Sequence, residues 1–417
     1  MYKAHVIEVA NVINHPNADR LDIVTFNGET YIVGRDDFEE GDIAIIFPGD
    51  GKLADEFLKY NNLYRHNILN ADVTKSGYFS NNQRVSTEKL RGVASYGVIV
   101  SPAAFSYIGK KLEFKPGSSF DAIKGHIICE KYYSPATIRA REIALRSKKK
   151  VYNYGLRKHK DTTKLAFGSP SSGLVILTEK LHGTSGRTGY VLEEKVSLTW
   201  WEKLLYKFKL KKNSYRVVTG TRNTICIPGW VEASGKESHR LAIHDELAGK
   251  IRLGETIYYE VVGFDGSGTP IMNVQSTSKI KDKQFKQNFP NPIVYSYGET
   301  TFTFYVYRIT QEIHGEVLEL TWDQVVNRCN ALGIKPVPEL SRFYHYNEGT
   351  PLAEYPEITS LLYNGESTLD PNTLFEGVCI RVENSTSTIF KVKNFMFGVL
   401  EGYLKQKDDY VDTEEAA

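Results

Sequence analysis

Residues 177–191 read LTEKLHGTSGRTGYV, and the fold of the larger part of the chain turns on them. The run LVILTEKL from Leu174 onward is strand-like and ends at Lys180 and Leu181. Gly183 and small hydroxylated residues then make a turn, and a second strand-like run follows. A lysine at such a strand–loop junction points into a cleft, and the glycine beside it lets backbone amides approach a phosphate. Alone, the phrase reads as a Lys-x-x-Gly hairpin, which is common on protein surfaces.

Five further fragments follow in order. VTGTRNT supplies Arg222 at a strand end, YYEVVGFDG supplies Glu260 ahead of a glycine, and FYVYRIT supplies Tyr307 inside a strand. FEGVCIRVE supplies Glu376 before Gly377, and IFKVKNF supplies Lys391 and Lys393. Residues i and i+2 of a strand project to the same side, so these two ammonium groups share a face. That arrangement is unfavourable unless an anion lies between them. The flanking Ile389, Phe390, Phe395 and Phe397 look buried, which argues against a plain exposed strand. Each fragment is weak alone; six in this order between Lys180 and Lys393 are not.

The ordered set KLHG, TRN, EVVG, FYVY, EGVCIR and KVK resembles motifs I, Ia, III, IIIa, IV and V of the covalent nucleotidyltransferases. That superfamily comprises RNA ligases, DNA ligases and mRNA capping enzymes. KLHGTS, with His182 where many members have Asp, is similar to the RNA ligase 2-like branch. YYEVVG and the N-terminal segment resemble the fifth RNA-ligase subfamily. The resemblance implies an ATP-dependent RNA ligase that joins 3′-hydroxyl and 5′-phosphate ends, with nick sealing or RNA repair as its task. It proceeds through a lysyl-AMP and an adenylylated 5′ end. Lys180 is then the nucleophile, a role that splits one difficult step into easier ones.

By the same resemblance, Lys391 and Lys393 stabilise the transferring phosphoryl group, and Glu376 holds Mg²⁺ or Mn²⁺, directly or through water. Glu260 binds the ribose hydroxyls or joins the metal shell. Tyr307 stacks on adenine, Arg222 takes the ribose or the incoming 5′-phosphate, and His182 assists pyrophosphate departure or is a hydrogen-bonded turn histidine. To attack, the Lys180 amine must be neutral against a reference pKa of about 10.4. Lys391, Lys393 and the metal are expected to depress it. Two departures matter. Arg308 follows Tyr307 where the branch usually has Asp, so no role is assigned to it. The stretch after Lys393 is too short for the C-terminal OB domain of DNA ligases and capping enzymes.

Outward on the N-terminal side, residues 1–130 read as short strands. VIEVANVI, RLDIVTFN, ETYIVGR and GDIAIIFP alternate and are punctuated by HPNAD, NGE and EEGD. HPNADRL and KLRGVASYGVIV resemble an OB-like module, so an RNA-binding β-barrel is expected there. Residues 131–165 form a basic connector with an expected helix at PATIRAREIALRSKKK. From Arg139 to Lys160 nine cationic residues face the single acid Glu142. Lys148, Lys149, Lys150, Arg157 and Lys158 are the expected RNA contacts. A second basic run, KLLYKFKLKK, begins at Lys203. Either run is otherwise a solvated face.

Residues 166–405 mix strands (LVILTEKL, KVSLTWW, RVVTGTR, TIYYEVVG, TFTFYVYRI) with helices (SHRLAIHDELAGKI, TWDQVVNRCNALGI). That pattern predicts an α+β nucleotidyltransferase domain with antiparallel sheets and flanking helices. The tail 406–417 is acidic and expected to fray.

At 417 residues the chain is long for one core, and its 41% hydrophobic and 24% charged residues are those of a globular protein. No apolar run approaches bilayer length, and the first residues lack a signal-peptide layout. The four cysteines form no CxxC pair. The expected setting is therefore a reducing cytoplasm, the host's if the chain is viral or phage-encoded. The expected partner of a monomer is RNA or an RNA-containing nicked duplex, with no membrane. Two other classes stay open. One is a DNA ligase or GTP-using capping enzyme, which the nucleotide of the covalent adduct separates. The other is a non-catalytic RNA-binding protein with a ligase fold, against which the intact Lys180, Glu260, Glu376, Lys391 and Lys393 argue.

Overall fold

The computed structural model describes residues 2–405 other than 110–111, 134–151, 160–161, 169–170, 196–198, 202–203, 205–213, 223–224, 227–237, 279, 281–282, 347–350, 362–364, 385–387 and 401–403. The expected helix at 135–150, Lys148, Lys149, Lys150 and the acidic tail therefore lie outside the described residues. The chain forms two compact units, one of Met1–Arg146 with Gly398–Ala417 and one of Ser147–Phe397. Among the described residues no helix is long and apolar enough to cross a membrane.

In the first unit, Ala4–Glu8 lies antiparallel to Ile43–Pro48, which pairs with Gly97–Val100. Val12–Asn14, Leu21–Phe26 and Glu29–Gly34 form a meander. The run 6–13, expected as one strand, breaks after Glu8 because the 41–42 turn engages it. Val9 N–H donates to Asp42 O, and Val9 O accepts from Gly41 N–H. Its halves then join different sheets. A single closed barrel is not found among the described residues, whose strands form separate sheets of four, three, three, two and two strands. Phe47, Phe57 and Phe105 fill the core beneath them. The HPNAD stretch acts as a turn lock. Buried His15 accepts the Asn17 N–H on Nδ1 at 3.1 Å, and its Nε2 lies 3.2 Å from Leu90 O. Leu404–Lys405, from the far end of the chain, adds parallel to Thr87–Glu88 of this unit.

The second unit is built on two sheets. The larger orders its main strands Ile225–Cys226, Ser214–Thr221, Thr184–Lys195, Glu255–Val262, Thr303–Ile313 and Glu316–Glu319, all antiparallel. The smaller orders Thr163–Lys164, Thr388–Lys393, Gly377–Glu383, Gly173–Glu179 and Glu339–His345. Only the short Thr163–Lys164 strand in this sheet is parallel to its neighbour. Residues 152–154 pair with Glu193–Lys195, so the described end of the basic segment is woven into both sheets.

Two helices form where their sequences predict, at Ser238–Ala248 and Trp322–Leu332. The second starts at a capping box, with Thr321 and Gln324 satisfying each other's backbone N–H, and stops at left-handed Gly333. KVSLTWW differs from expectation. Lys195 ends a strand, but Trp200 and Trp201 are helical and exposed. Among the described residues neither is paired in a strand, where an aromatic β-preference would act.

Candidate active site

The chain leaves the smaller sheet at Glu179 and enters the larger at Thr184. The four residues between, Lys180–Gly183, therefore cross from one sheet to the other. Gly183 is needed at this crossing, since a Cβ there would sit 2.4 Å from Val261 O and 2.8 Å from Glu260 Cγ. The Lys180 N–H donates to Gly377 O at 2.9 Å, which fixes the turn beside the strand that follows Glu376.

Buried Glu376 collects the cations. Its Oε1 lies 2.5 Å from Lys180 Nζ and 3.5 Å from Lys393 Nζ, and its Oε2 lies 3.6 Å from His182 Nδ1. Burial works to raise the Glu376 pKa, but Lys180, His182 and Lys393 outweigh it and hold the carboxyl at about 2. Burial also works against the Lys180 ammonium, yet the Glu376 carboxylate prevails and the amine's pKa is raised. Among the protein's own groups the balance thus runs opposite to the depression expected from Lys391, Lys393 and a metal together. Lys393 does pull it down, but a carboxylate at 2.5 Å is the stronger neighbour. Half-buried Glu260 differs from Glu376. Burial pushes its carboxyl up to about 8, with Lys180 opposing and Glu376 adding to the rise.

Lys391 and Lys393 stand opposite Cys379 and Gly377 in register. The Cys379 thiol, raised by burial, feels Lys180, Glu376, Lys391 and Glu260. Of the flanking residues expected to be buried, Phe390 and Phe397 are, whereas Ile389 and Phe395 are only half-buried. Those two are at a strand flank and a helix start, where one side faces out.

Tyr307 reaches its place through a β-bulge. Tyr258 pairs with Arg308 and Tyr259 with Val306, leaving Tyr307 as the extra residue. Its hydroxyl shares a hydrogen bond with His159 Nδ1 at 2.7 Å. Burial, with Arg187, Arg222 and Arg308, holds His159 down to about 3, so its ring is neutral. Arg222 is exposed just beyond its strand. Arg308 is buried and forks onto Glu319 at 2.6 and 2.7 Å, with its guanidinium 4.4 Å over the Tyr258 ring. Arg157 pairs with Glu312 at 3.2 Å, and Lys158 is exposed.

The structure thus gathers Lys180, His182 and Lys393 around Glu376, with Glu260 close enough to act on Lys180. Sequence reading missed four supports. Glu179 accepts from Ser367 Oγ and Thr368 Oγ1, both at 2.5 Å, and from Thr368 N–H. Tyr295, Tyr297 and His159 come from segments that carry no motif. Only the alternate aromatics of Tyr295 and Tyr297 were a signal, and they look like ordinary core.

The contact between Lys180 and Glu376 has a chemical consequence. In metal-free protein at neutral pH, Glu376→Gln removes the main stabiliser of the ammonium, so the amine's pKa falls. Modification of Lys180 by an amine-directed acylating reagent should then rise severalfold at fixed pH, read by peptide mass mapping. Unchanged or slower labelling would mean that another group holds the proton.

A family model described as RNA ligase matches residues 173–393. No curated protein matches the chain. Among solved structures, Naegleria gruberi RNA ligase with PPi is 15% identical at a TM-score of 0.56, covering 95% of this chain and 97% of that one. A variant of that enzyme with ATP and Mn is 15% identical at 0.56, covering 94% and 97%. Another, with AMP and Mn, is 15% identical at 0.55, again covering 94% and 97%. At this identity the likeness is one of fold.

Proposed function

We propose that this chain, which belongs to the RNA ligase family, is an ATP-dependent ligase that seals RNA ends by way of a lysyl-AMP. One observation carries the reading: a half-buried lysine at the crossing between two sheets is held by a buried carboxylate that also faces a second lysine and a histidine. The Naegleria gruberi RNA ligase structures of similar fold contain PPi, ATP with Mn, and AMP with Mn.

Lys180 Nζ forms a bond to the α-phosphorus of ATP as the bond to the β-phosphate oxygen breaks and pyrophosphate leaves. The amine's proton passes to solvent. A terminal 5′-phosphate oxygen then displaces Lys180 from the adenylyl phosphorus. A 3′-hydroxyl finally attacks the activated end and AMP departs. Lys391 and Lys393 offset charge on the transferring phosphoryl group, Tyr307 stacks on adenine, and His182 accompanies pyrophosphate. Arg222, exposed beyond its strand, meets the ribose or the incoming 5′-phosphate.

The residues present fit a divalent cation. Glu260 and Glu376 lie close enough to interact, since burial pushes the Glu260 carboxyl up to about 8 with Glu376 adding to the rise. Mg²⁺ and Mn²⁺ favour one or two carboxylates completed by phosphate oxygens and water. Among the described residues no three His, Cys, Asp or Glu side chains gather to hold a metal alone, so substrate phosphate would complete the set. When bound, the cation supplies charge neutralisation at the phosphates.

The first unit, whose sequence reads as an OB-like module, is assigned to RNA binding, and so are Lys148, Lys149, Lys150, Arg157 and Lys158 of the basic segment. Nicked duplex with a ribose at the 3′-hydroxyl end is the substrate we assign.

The test uses the full chain with α-labelled ATP or GTP and Mg²⁺ or Mn²⁺, then a chase with nicked duplexes. Label should come from ATP alone, move to the 5′-phosphate and end in sealed RNA. Labelling from GTP would point to a capping-type enzyme. Equal sealing at a deoxyribose 3′ end would point to a DNA ligase, and no label at all to a binding protein.

A further inference from the structure

We infer that Tyr297 is a positioning residue for adenylyl transfer, its hydroxyl anchoring the backbone of His182 so that the imidazole is aimed at the reacting phosphates. The inference rests on the proposed function and names a residue outside every motif.

Tyr297 is buried, and its hydroxyl accepts the His182 N–H at 2.6 Å. The backbone of Tyr297 has φ 56 and that of Gly298 has φ 77. The left-handed region is unfavourable for a residue with a Cβ, and such conformations persist where the surroundings enforce them. Here the enforcement is visible. Thr373 Oγ1 donates to Val294 O at 3.3 Å, which ties this segment to the loop leading into Glu376. The same loop binds Glu179 through Ser367 and Thr368. The turn carrying Lys180 is therefore gripped on both sides, at Glu179 by one loop and at His182 by Tyr297.

The His182 ring is fixed as tightly as its backbone. Tyr295 meets it edge-on with centroids 4.6 Å apart, and Phe397 does so at 4.9 Å. Nδ1 faces Glu376 Oε2 at 3.6 Å. A rotation of the 181–182 peptide would move the ring out of this slot. The hydrogen bond from the His182 N–H to the Tyr297 hydroxyl opposes that rotation. A residue holding only the fold would affect every step. One that acts through the imidazole affects the steps that handle pyrophosphate.

The experiment compares wild type, Tyr297→Phe, His182→Ala and the double variant in two single-turnover assays. One is adenylylation by ATP, and the other is sealing of a nick whose 5′ end is already adenylylated. Tyr297→Phe should slow adenylylation about tenfold, the effect of one lost hydrogen bond, and leave sealing unchanged. In the His182→Ala background the same change should cost nothing further. Normal adenylylation by Tyr297→Phe overturns the inference, as do equal losses in both assays or a full additional loss in the double variant. A wild-type protein that never labels with ATP sinks the functional reading instead.

Discussion

Lys180→Ala protein, incubated with labelled ATP and metal, should carry no protein-bound AMP, while still sealing a nick that is supplied already adenylylated. The split follows from the chemistry, since only the first step uses the amine as a nucleophile. The fold should survive. Glu376 loses its partner at 2.5 Å but keeps Lys393 at 3.5 Å and His182 at 3.6 Å. We expect a stability loss of about 1–3 kcal/mol, the range for a buried polar group that loses one of its partners. Lys180→Arg sharpens the result. It keeps a cation for Glu376, yet a guanidinium stays protonated and does not attack. A lysine-linked adduct in either variant would show that the nucleophile lies elsewhere.

Lys391→Ala and Lys393→Ala should each slow adenylylation a hundredfold or more, about 3 kcal/mol of transition-state stabilisation. The two are separable by pH. Lys393 lowers the pKa of Lys180, against the pull of Glu376. Its removal leaves the amine more firmly protonated, so the rise of rate with pH should move to higher pH in Lys393→Ala. Lys391 is not among the main groups that act on Lys180, and its variant should lose rate with the profile in place. Single-turnover rates across a pH series decide this. Near-normal rates in both variants would return the Lys-Val-Lys face to an ordinary strand surface.

How much of this was legible depends on range. The strands Gly173–Glu179, Glu255–Val262 and Thr303–Ile313 and the helix Trp322–Leu332 are written in local periodicity and caps, and they form where read. What fails to show is long-range. Nothing in VIEVANVI says that its halves belong to different sheets, because the 41–42 turn decides it. Nothing in FYVYRIT reveals the bulge at Tyr307, which depends on the register against Tyr258 and Tyr259. The pairing of Lys180 with Glu376 was equally hidden. The sequence shows a lysine among lysines, whereas the structure seats a carboxylate between Lys180 and Lys393 that favours the protonated amine. Tyr297 was invisible because its part is played by one hydroxyl and an unusual φ, and neither has a pattern.

The strand at Leu404–Lys405 pairs with Thr87–Glu88, and this bears on how the protein is made. Domains generally fold as they leave the ribosome, the N-terminal one first. Here the unit that emerges first lacks a strand until the last part of the chain has been synthesised. The unit around Lys180 is whole earlier, once Phe397 is out. The order of completion therefore runs against the order of emergence. A stalled or clipped chain that stops near Phe397 would hold every motif from Lys180 to Lys393 while leaving the sheet edge at Thr87–Glu88 open.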